Sequence, residues 1–270
     1  MGSATRQALA ASRLALTALG GNIDLAKDGL RIGEELFAAA HVVSDSKQLR
    51  QLLADPSTQA EEKKAVVAKV FGQRLGPAVT GLLATVAATR WSRPDDLLGG
   101  IEELGLRAVA ESAGRDSDIE SELFAFGAAV STDSQLELAV GSRLGDPDAK
   151  VALVEALLSG KVSEQTVAIV RHLVRQPRGR RIGPSLAKAA AIVADQANMH
   201  VATITTAAPL ASAQLERLRS KLSDSYGREL MVNQVVDAAV LGGVKVQIGD
   251  DIIDGSVLTR LQDLRLQLAS

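Results

Sequence analysis

The chain has 270 residues, 46% of them hydrophobic and 23% charged, which is typical of a folded protein with one large domain or two to three small ones. The net charge of −2 gives no general attraction to nucleic acid, and the lack of cysteine excludes disulfides, cysteine–zinc sites and thiol nucleophiles. No apolar run of about 18 residues exists and Arg13 interrupts the first apolar stretch, so we expect no signal peptide and no direct membrane insertion.

The first 200 or so residues have the apolar periodicity of helices. Leu, Val and Ala recur at spacings of three and four residues, as a buried helical face requires. Only 2% of the residues are aromatic, so aliphatic side chains must fill the core. Helix breakers separate the segments, at Gly20–Gly21, Asp55–Pro56, Gly76–Pro77, Arg93–Pro94, Asp146–Pro147, Pro177 and Gly183–Pro184.

An internal repeat lies within this helical part. The segment from Glu35 to Leu49 matches the segment 87 residues further along, with eight identities in fifteen positions, including Glu-Leu-Phe-Ala in both. With small gaps, three further segments match: Asp55–Pro56 with Asp146–Pro147, Lys64–Val66 with Lys150–Ala152, and Thr89–Arg93 with Gln176–Arg180. We therefore predict two helical-bundle copies, residues 1–96 and 97–197, with a helix at 95–113 that both copies share.

The composition changes after about Asn198, where strands are predicted. Val201–Thr206 and Leu230–Val236 are rich in β-branched residues, and Val244–Ile248 alternates apolar with polar side chains. Ser212–Tyr226 has one apolar helical face, and Ser256 caps a final predicted helix. The predicted fold class is mainly α with a small α+β C-terminal domain, a β-α-β-β-α tail at residues 198–270.

Motifs for catalysis or cofactor binding are not found. Gly160–Lys161 is not followed by the Ser or Thr of a phosphate-binding loop. The three histidines, His41, His172 and His200, have no ligand spacing and are interpreted as surface or packing residues. The acids Asp250, Asp251 and Asp254 lack the spacing of a calcium loop, and a turn explains them equally well. We predict no catalytic residue, no cofactor and no metal.

The segment Arg171–Arg181 contains five arginines but no aromatic residue for base stacking. We interpret it as a solvated inter-helix loop or a contact with an acidic protein partner, rather than as an RNA-binding site. The large aromatic residues are interpreted as core: Trp91, Phe37, Phe71, Phe124 and Phe126.

The C-terminal part carries a recognisable signature. Leu241–Asp250 reads Leu-Gly-Gly-Val-Lys-Val-Gln-Ile-Gly-Asp, and Ile253–Val257 reads Ile-Asp-Gly-Ser-Val. These strings, with Ala207–Leu210 after the first strand, resemble the ATP synthase delta subunit family, which includes the mitochondrial oligomycin-sensitivity-conferring protein. The signature residues carried over as structural are Leu241, Gly242, Gly243, Gly249, Asp250, Asp254, Gly255 and Ser256. The usual member has one bundle before this tail, so the first 96 residues resemble the extra copy in long delta subunits of high-GC Gram-positive bacteria.

The resemblance implies a non-catalytic peripheral-stalk subunit of the rotary ATP synthase. Its helical part would bind the N-terminal helices of the alpha subunits on the catalytic head, and its tail would bind the C-terminal ends of the b subunits. The expected location is the cytoplasmic face of the cell membrane, as a peripheral part of the complex. Which copy sits on the head stays open.

Three alternatives compete with this interpretation. A helical adaptor for another complex would keep the fold but not the partners. A small α/β enzyme would use Gly242–Ser256 as a site, and it would need a polar pocket with perturbed titrating groups. An RNA-binding helical protein would use Arg171–Arg181 and would bind with a steep salt dependence.

Overall fold

The computed structural model describes residues 2–113, 118–142, 145–196, 200–226, 230–237, 243–248 and 251–254. Two compact units divide the chain, a helical unit that ends at Val193 and a C-terminal unit that begins at Ala194. The fold class is the predicted one, mainly α with a small α+β C-terminal part.

Eleven helices are described in the order α1 to α11, the last of them running past Val193. Their bounds are α1 Ser3–Gly20, α2 Leu25–Asp45, α3 Lys47–Ala54, α4 Ala60–Phe71, α5 Pro77–Ala88, α6 Pro94–Ala113, α7 Ile119–Thr132, α8 Ser134–Gly141, α9 Pro147–Leu158, α10 Glu164–Arg175 and α11 Ile182–Gln196. Side chains of Asp24, Ser46, Asp133 and Ser163 accept hydrogen bonds from the first free backbone N–H groups of the helices they precede. Pro77 and Pro147 occupy first helical positions, where proline costs no hydrogen bond.

The helix bounds repeat at the same 87-residue offset as the sequence. Helices α8, α9 and α10 begin and end 87 residues after α3, α4 and α5, respectively. Glu35 Oε2 accepts from the Gly76 N–H at 2.7 Å, and 87 residues on, Glu122 Oε1 accepts from the Ser163 N–H at 3.0 Å. A partly buried carboxylate thus accepts a hydrogen bond from the residue before α5 and, in the same way, from the residue before α10.

Two of the predicted matches were wrong. Asp146 directly precedes α9, so at the common offset its counterpart is Gln59 before α4 and not Asp55. Lys150 likewise corresponds to Lys63, and both lysines are buried, at 3% and 5% exposure. The two copies align without gaps here, because these helices keep one constant offset of 87 residues.

Helix α6 contributes to two apolar cores. Leu97, Leu98 and Ile101 pack in a core formed with α1 to α5, whereas Leu106 and Val109 pack in a second core formed with α7 to α11. Every residue of α6 from Gly100 to Ala110 is buried. We refer to α1–α6 as the first helical module and to α6–α11 as the second.

The C-terminal unit is a four-stranded sheet with one described helix. Its elements are β1 His200–Thr206, α12 Ser212–Tyr226, β2 Leu230–Val236, β3 Val244–Ile248 and β4 Asp251–Asp254. The strand order is β2-β1-β3-β4, with β1 parallel to β2 and the other pairs antiparallel. Three leucines of α12 pack on Ala202, Ile204 and Leu230, as the predicted apolar face requires. β4 adds a strand to the predicted β-α-β-β-α tail, and the predicted final helix lies outside the described residues.

Candidate functional site

A buried carboxylate on α6 joins α6 to α10 and to the α10–α11 loop. Glu102 on α6 is 4% exposed, and it accepts hydrogen bonds from Arg178 Nη2 at 2.6 Å and Arg180 Nη2 at 2.5 Å. Nε2 of His172 on α10 lies 3.4 Å from Glu102 Oε1. Both arginines belong to the α10–α11 loop, where Arg178 and Gly179 have φ of 48° and 73° and reverse the chain. The left-handed turn brings both guanidinium groups to one carboxylate.

The charge state of this cluster follows from its partners. Burial alone would raise the pKa of Glu102, but hydrogen bonds from His172 and Arg180 and the charges of Arg178 and Arg180 hold that pKa well below its usual range. Burial lowers the pKa of His172 below its ordinary 6.5, so the imidazole is neutral at pH 7. The ionised Glu102 carboxylate therefore holds α10 and the α10–α11 loop against α6. It is poorly suited to exchanging a proton.

The interpretation of Arg171–Arg181 as a solvated loop was wrong. Side chains of Arg178 and Arg180 are only 18% and 27% exposed, because Glu102 binds both. Arg175 lies 2.9 Å from Asp148. Arg171 pairs with Glu155 at 3.2 Å and with Glu34. The acidic partner is thus mostly within the chain, which removes the observation that favoured RNA binding.

The histidines and aromatic residues have packing roles where their side chains are described. The ring of His172 stacks on Phe37 with centroids 4.1 Å apart and planes at 12°, as expected of a packing histidine. Trp91 is 3% exposed and donates its Nε1–H to the Val86 carbonyl at 2.9 Å, which confirms it as core. Nε2 of His41 lies 3.4 Å from Asp45 at the surface, and the His200 side chain lies outside the described residues.

The outer surface of the first module has an uncharged face formed by α1 and α5, which pack side by side. We call this the α1/α5 face. Its side chains are small, apolar or uncharged polar, and Leu14 is 71% exposed. They are Gln7, Ala10, Ala11, Leu14, Thr17 and Ala18 from α1, and Pro77, Ala78, Gly81, Thr85 and Ala88 from α5. The exposed Arg6 and Arg13 of α1 adjoin this face at Ala10 and Thr17. A helix face that is not buried in its own protein normally carries charges. The face is therefore suited to a partner's helix, since small side chains allow close approach.

In the C-terminal unit, β2 is an edge strand with apolar side chains at its end. Val235 and Val236 are 40% and 51% exposed. An edge strand leaves one row of backbone donors and acceptors unpaired, which makes it a natural place for partner binding.

Most of the predicted signature lies outside the described residues. Gly243 is described and has φ of 85°, a left-handed conformation that favours glycine before β3. Asp254 ends β4, and its Cα pairs with Lys245. Leu241, Gly242, Gly249, Asp250, Gly255 and Ser256 are not described, so their roles stay predictions.

Neither a metal-binding cluster nor a membrane-spanning helix is found among the described residues. Within them, no three His, Asp or Glu side chains converge as a metal site would require. Of the helices described, none is both long and apolar enough to cross a bilayer.

Comparison with known proteins gives a consistent family. The profile described as ATP synthase delta (OSCP) subunit matches residues 23–93 and 105–268. The ATP synthase subunit delta of Leifsonia xyli subsp. xyli is 55% identical over 269 residues, covering 100% of both chains. The subunit delta of Streptomyces griseus subsp. griseus is 37% identical over 272 residues, again covering 100% of both. That of Acidothermus cellulolyticus is 38% identical over 242 residues, 88% of each chain. The chain therefore belongs to the ATP synthase delta (OSCP) subunit family and is a structural subunit of the synthase stator, not a catalytic one.

Proposed function

We propose that this chain joins the catalytic head of the ATP synthase to the b subunits and resists the torque of the rotor. The observation that carries the proposal is the similarity over the whole length to proteins named ATP synthase subunit delta. The subunit would be peripheral, on the cytoplasmic face of the membrane, and held there by its partners.

The first contact in this proposal is with the head. An N-terminal helix of an alpha subunit would lie on the α1/α5 face, with its apolar side toward Leu14. The uncharged, small side chains of the face support this assignment, because a partner helix can approach them without desolvating a charge.

The second contact is with the b subunits. Their C-terminal ends would bind the C-terminal unit, and the exposed edge strand β2 with Val235 and Val236 supports this. We also propose that the signature residues from Leu241 to Ser256 shape this unit, with Gly243 forming the turn before β3.

The helical unit is proposed to be a duplicated bundle with α6 common to both copies, with boundaries near residues 96 and 197. Support comes from the constant 87-residue offset and the two matched glutamate–helix contacts. Because α6 is buried from Gly100 to Ala110, the modules would be rigidly coupled, as a stator link requires.

The head contact is tested with a peptide of the N-terminal helix of the alpha subunit and the full-length chain. Leu14→Glu should weaken binding at least about tenfold, because a buried leucine contributes about 1.5–3 kcal/mol and each 1.4 kcal/mol is tenfold. Isothermal titration calorimetry measures the effect.

Leu138→Glu on α8 is the matched control, since both leucines are 71% exposed. It should bind the peptide like the wild type. Equal weakening by both substitutions, or none by Leu14→Glu, would contradict the assignment of the α1/α5 face.

A further inference from the structure

The second module contains a counterpart of the α1/α5 face. At the 87-residue offset, α10 corresponds to α5 at both ends, and α1 corresponds to residues 90–107, most of which belong to α6. A duplicated chain of this kind would be expected to present two helix-binding faces, one on each module.

The counterpart face on α6 and α10 is closed. Ala11 and Leu14 are exposed on α1, whereas their counterparts Leu98 and Ile101 on α6 are 1% and 2% exposed. Gly81 is exposed on α5, whereas its counterpart Ala168 on α10 is 3% exposed. Equivalent positions thus have opposite solvent exposure in the two modules.

Helix α2 of the first module covers much of this second face. A Cβ at Gly29 would lie 2.4 Å from the Ala108 carbonyl oxygen, and one at Gly33 would lie 2.4 Å from Val109 Cγ2. Such contacts are possible only because both positions are glycine, so the backbones of α2 and α6 touch. Phe37 on α2 stacks on His172 of α10.

Charge pairing adds to this contact, because Glu34 on α2 binds Arg171 on α10. The space left between α2 and α10 is a cleft of about 360 Å³, lined by residues that include Phe37 and Ala168. A second helix cannot take the place of α2 on α6 while α2 is there, because the backbones of α2 and α6 are already in contact.

We infer that α2 is a permanent occupant of the helix-binding face of the second module, so that the duplicated chain keeps one open face, α1/α5, and binds one partner helix. The identity of that partner rests on the proposed function. The occupied face also indicates the kind of helix that fits, an amphipathic one with small residues at its centre, as α2 has. A second copy of the chain cannot supply it, because its own α2 is already buried.

Thiol labelling tests the closed face without any partner. The chain has no cysteine, so Gly81→Cys and Ala168→Cys each carry a single thiol at equivalent positions. With a polyethylene glycol maleimide too large for the cleft, the thiol at position 168 should react roughly 100-fold more slowly, because α2 must first open locally. Comparable rates in natively folded protein would overturn the inference.

A second pair, Leu14→Cys and Ile101→Cys, repeats the comparison on α1 and α6, in case Ala168→Cys does not fold. Circular dichroism and thermal unfolding verify the fold of each variant, and in denaturant both members of a pair should react alike.

Calorimetry with the alpha-subunit peptide provides the stoichiometry. One peptide per wild-type chain, lost in Leu14→Glu, would support the inference, and two peptides per chain would overturn it. Absence of any binding would contradict the proposed partner, and the labelling rates would then decide by themselves which face is open.

Discussion

At the scale of single residues, Glu102 has the most demanding environment described. A buried carboxylate is costly to desolvate, and here two arginines and a histidine offset that cost. If the carboxylate is removed, the arginines stay buried without a counter-charge. The folded state then loses more free energy than the intact ion pairs contribute on balance. Glu102 is therefore expected to stabilise the α10–α11 loop against α6.

We predict that Glu102→Gln lowers the free energy of unfolding by on the order of 3 kcal/mol, measured by urea denaturation. The control is Glu216→Gln, whose partner Arg219 lies beside it on an exposed face of α12. Exposed pairs contribute little, so the control should leave the unfolding curve unchanged. A Glu102→Gln curve that overlays the wild type would contradict this account of the cluster.

The cluster could not be predicted from the sequence. Arg178 and Arg180 lie 76 and 78 residues after Glu102, and no periodic pattern links positions so far apart. An arginine-rich loop without visible acids nearby is normally solvated, and only the packing of α10 against α6 shows otherwise. Trp91, by contrast, was predictable as core, because a tryptophan in an aliphatic helical chain is largely buried as a rule.

At the scale of elements, α2 packs closely on α6, the helix that both modules contain. This contact depends on glycines, since a Cβ at Gly33 would also lie 2.8 Å from the Gly105 carbonyl oxygen, a backbone atom that cannot move aside cheaply. A methyl group there must push the two helices apart.

Gly33→Ala is therefore expected to destabilise the chain by about 1–3 kcal/mol, the usual cost of overpacking, despite the better helix propensity of alanine. Gly99→Ala on α6 is the matched control, because its added Cβ meets no atom within 4 Å. The control should be neutral or stabilising by up to about 1 kcal/mol. Thermal and urea unfolding measure both, and a stabilised Gly33→Ala would contradict the close approach.

Individual elements were largely predictable. The strand at Leu230–Val236 and the helix at Ser212–Tyr226 have the predicted bounds, because a short β-branched run and apolar helical periodicity are strong local signals. The short strand β4 is not among the predicted strands, since four residues give no clear period. The closure of the α6/α10 face by α2 was not predictable, because it depends on how one module packs on the other.

At the scale of the whole molecule, the chain is a connector with contacts to make and no reaction to perform. Family membership establishes it as a stator subunit, and the open α1/α5 face and the exposed end of β2 are the surfaces we propose for its two partners. If the helical unit is a duplicated bundle, as we propose, the second copy adds no second open face, since α2 occupies the counterpart.

The most direct test is affinity purification of the tagged full-length chain from detergent-solubilised membranes, read by mass spectrometry. We predict that the wild type recovers the alpha, beta and b subunits, and that Leu14→Glu recovers b with much less alpha and beta. Recovery of none of these subunits by a wild-type chain shown to be folded would contradict the account, as would undiminished alpha and beta with Leu14→Glu.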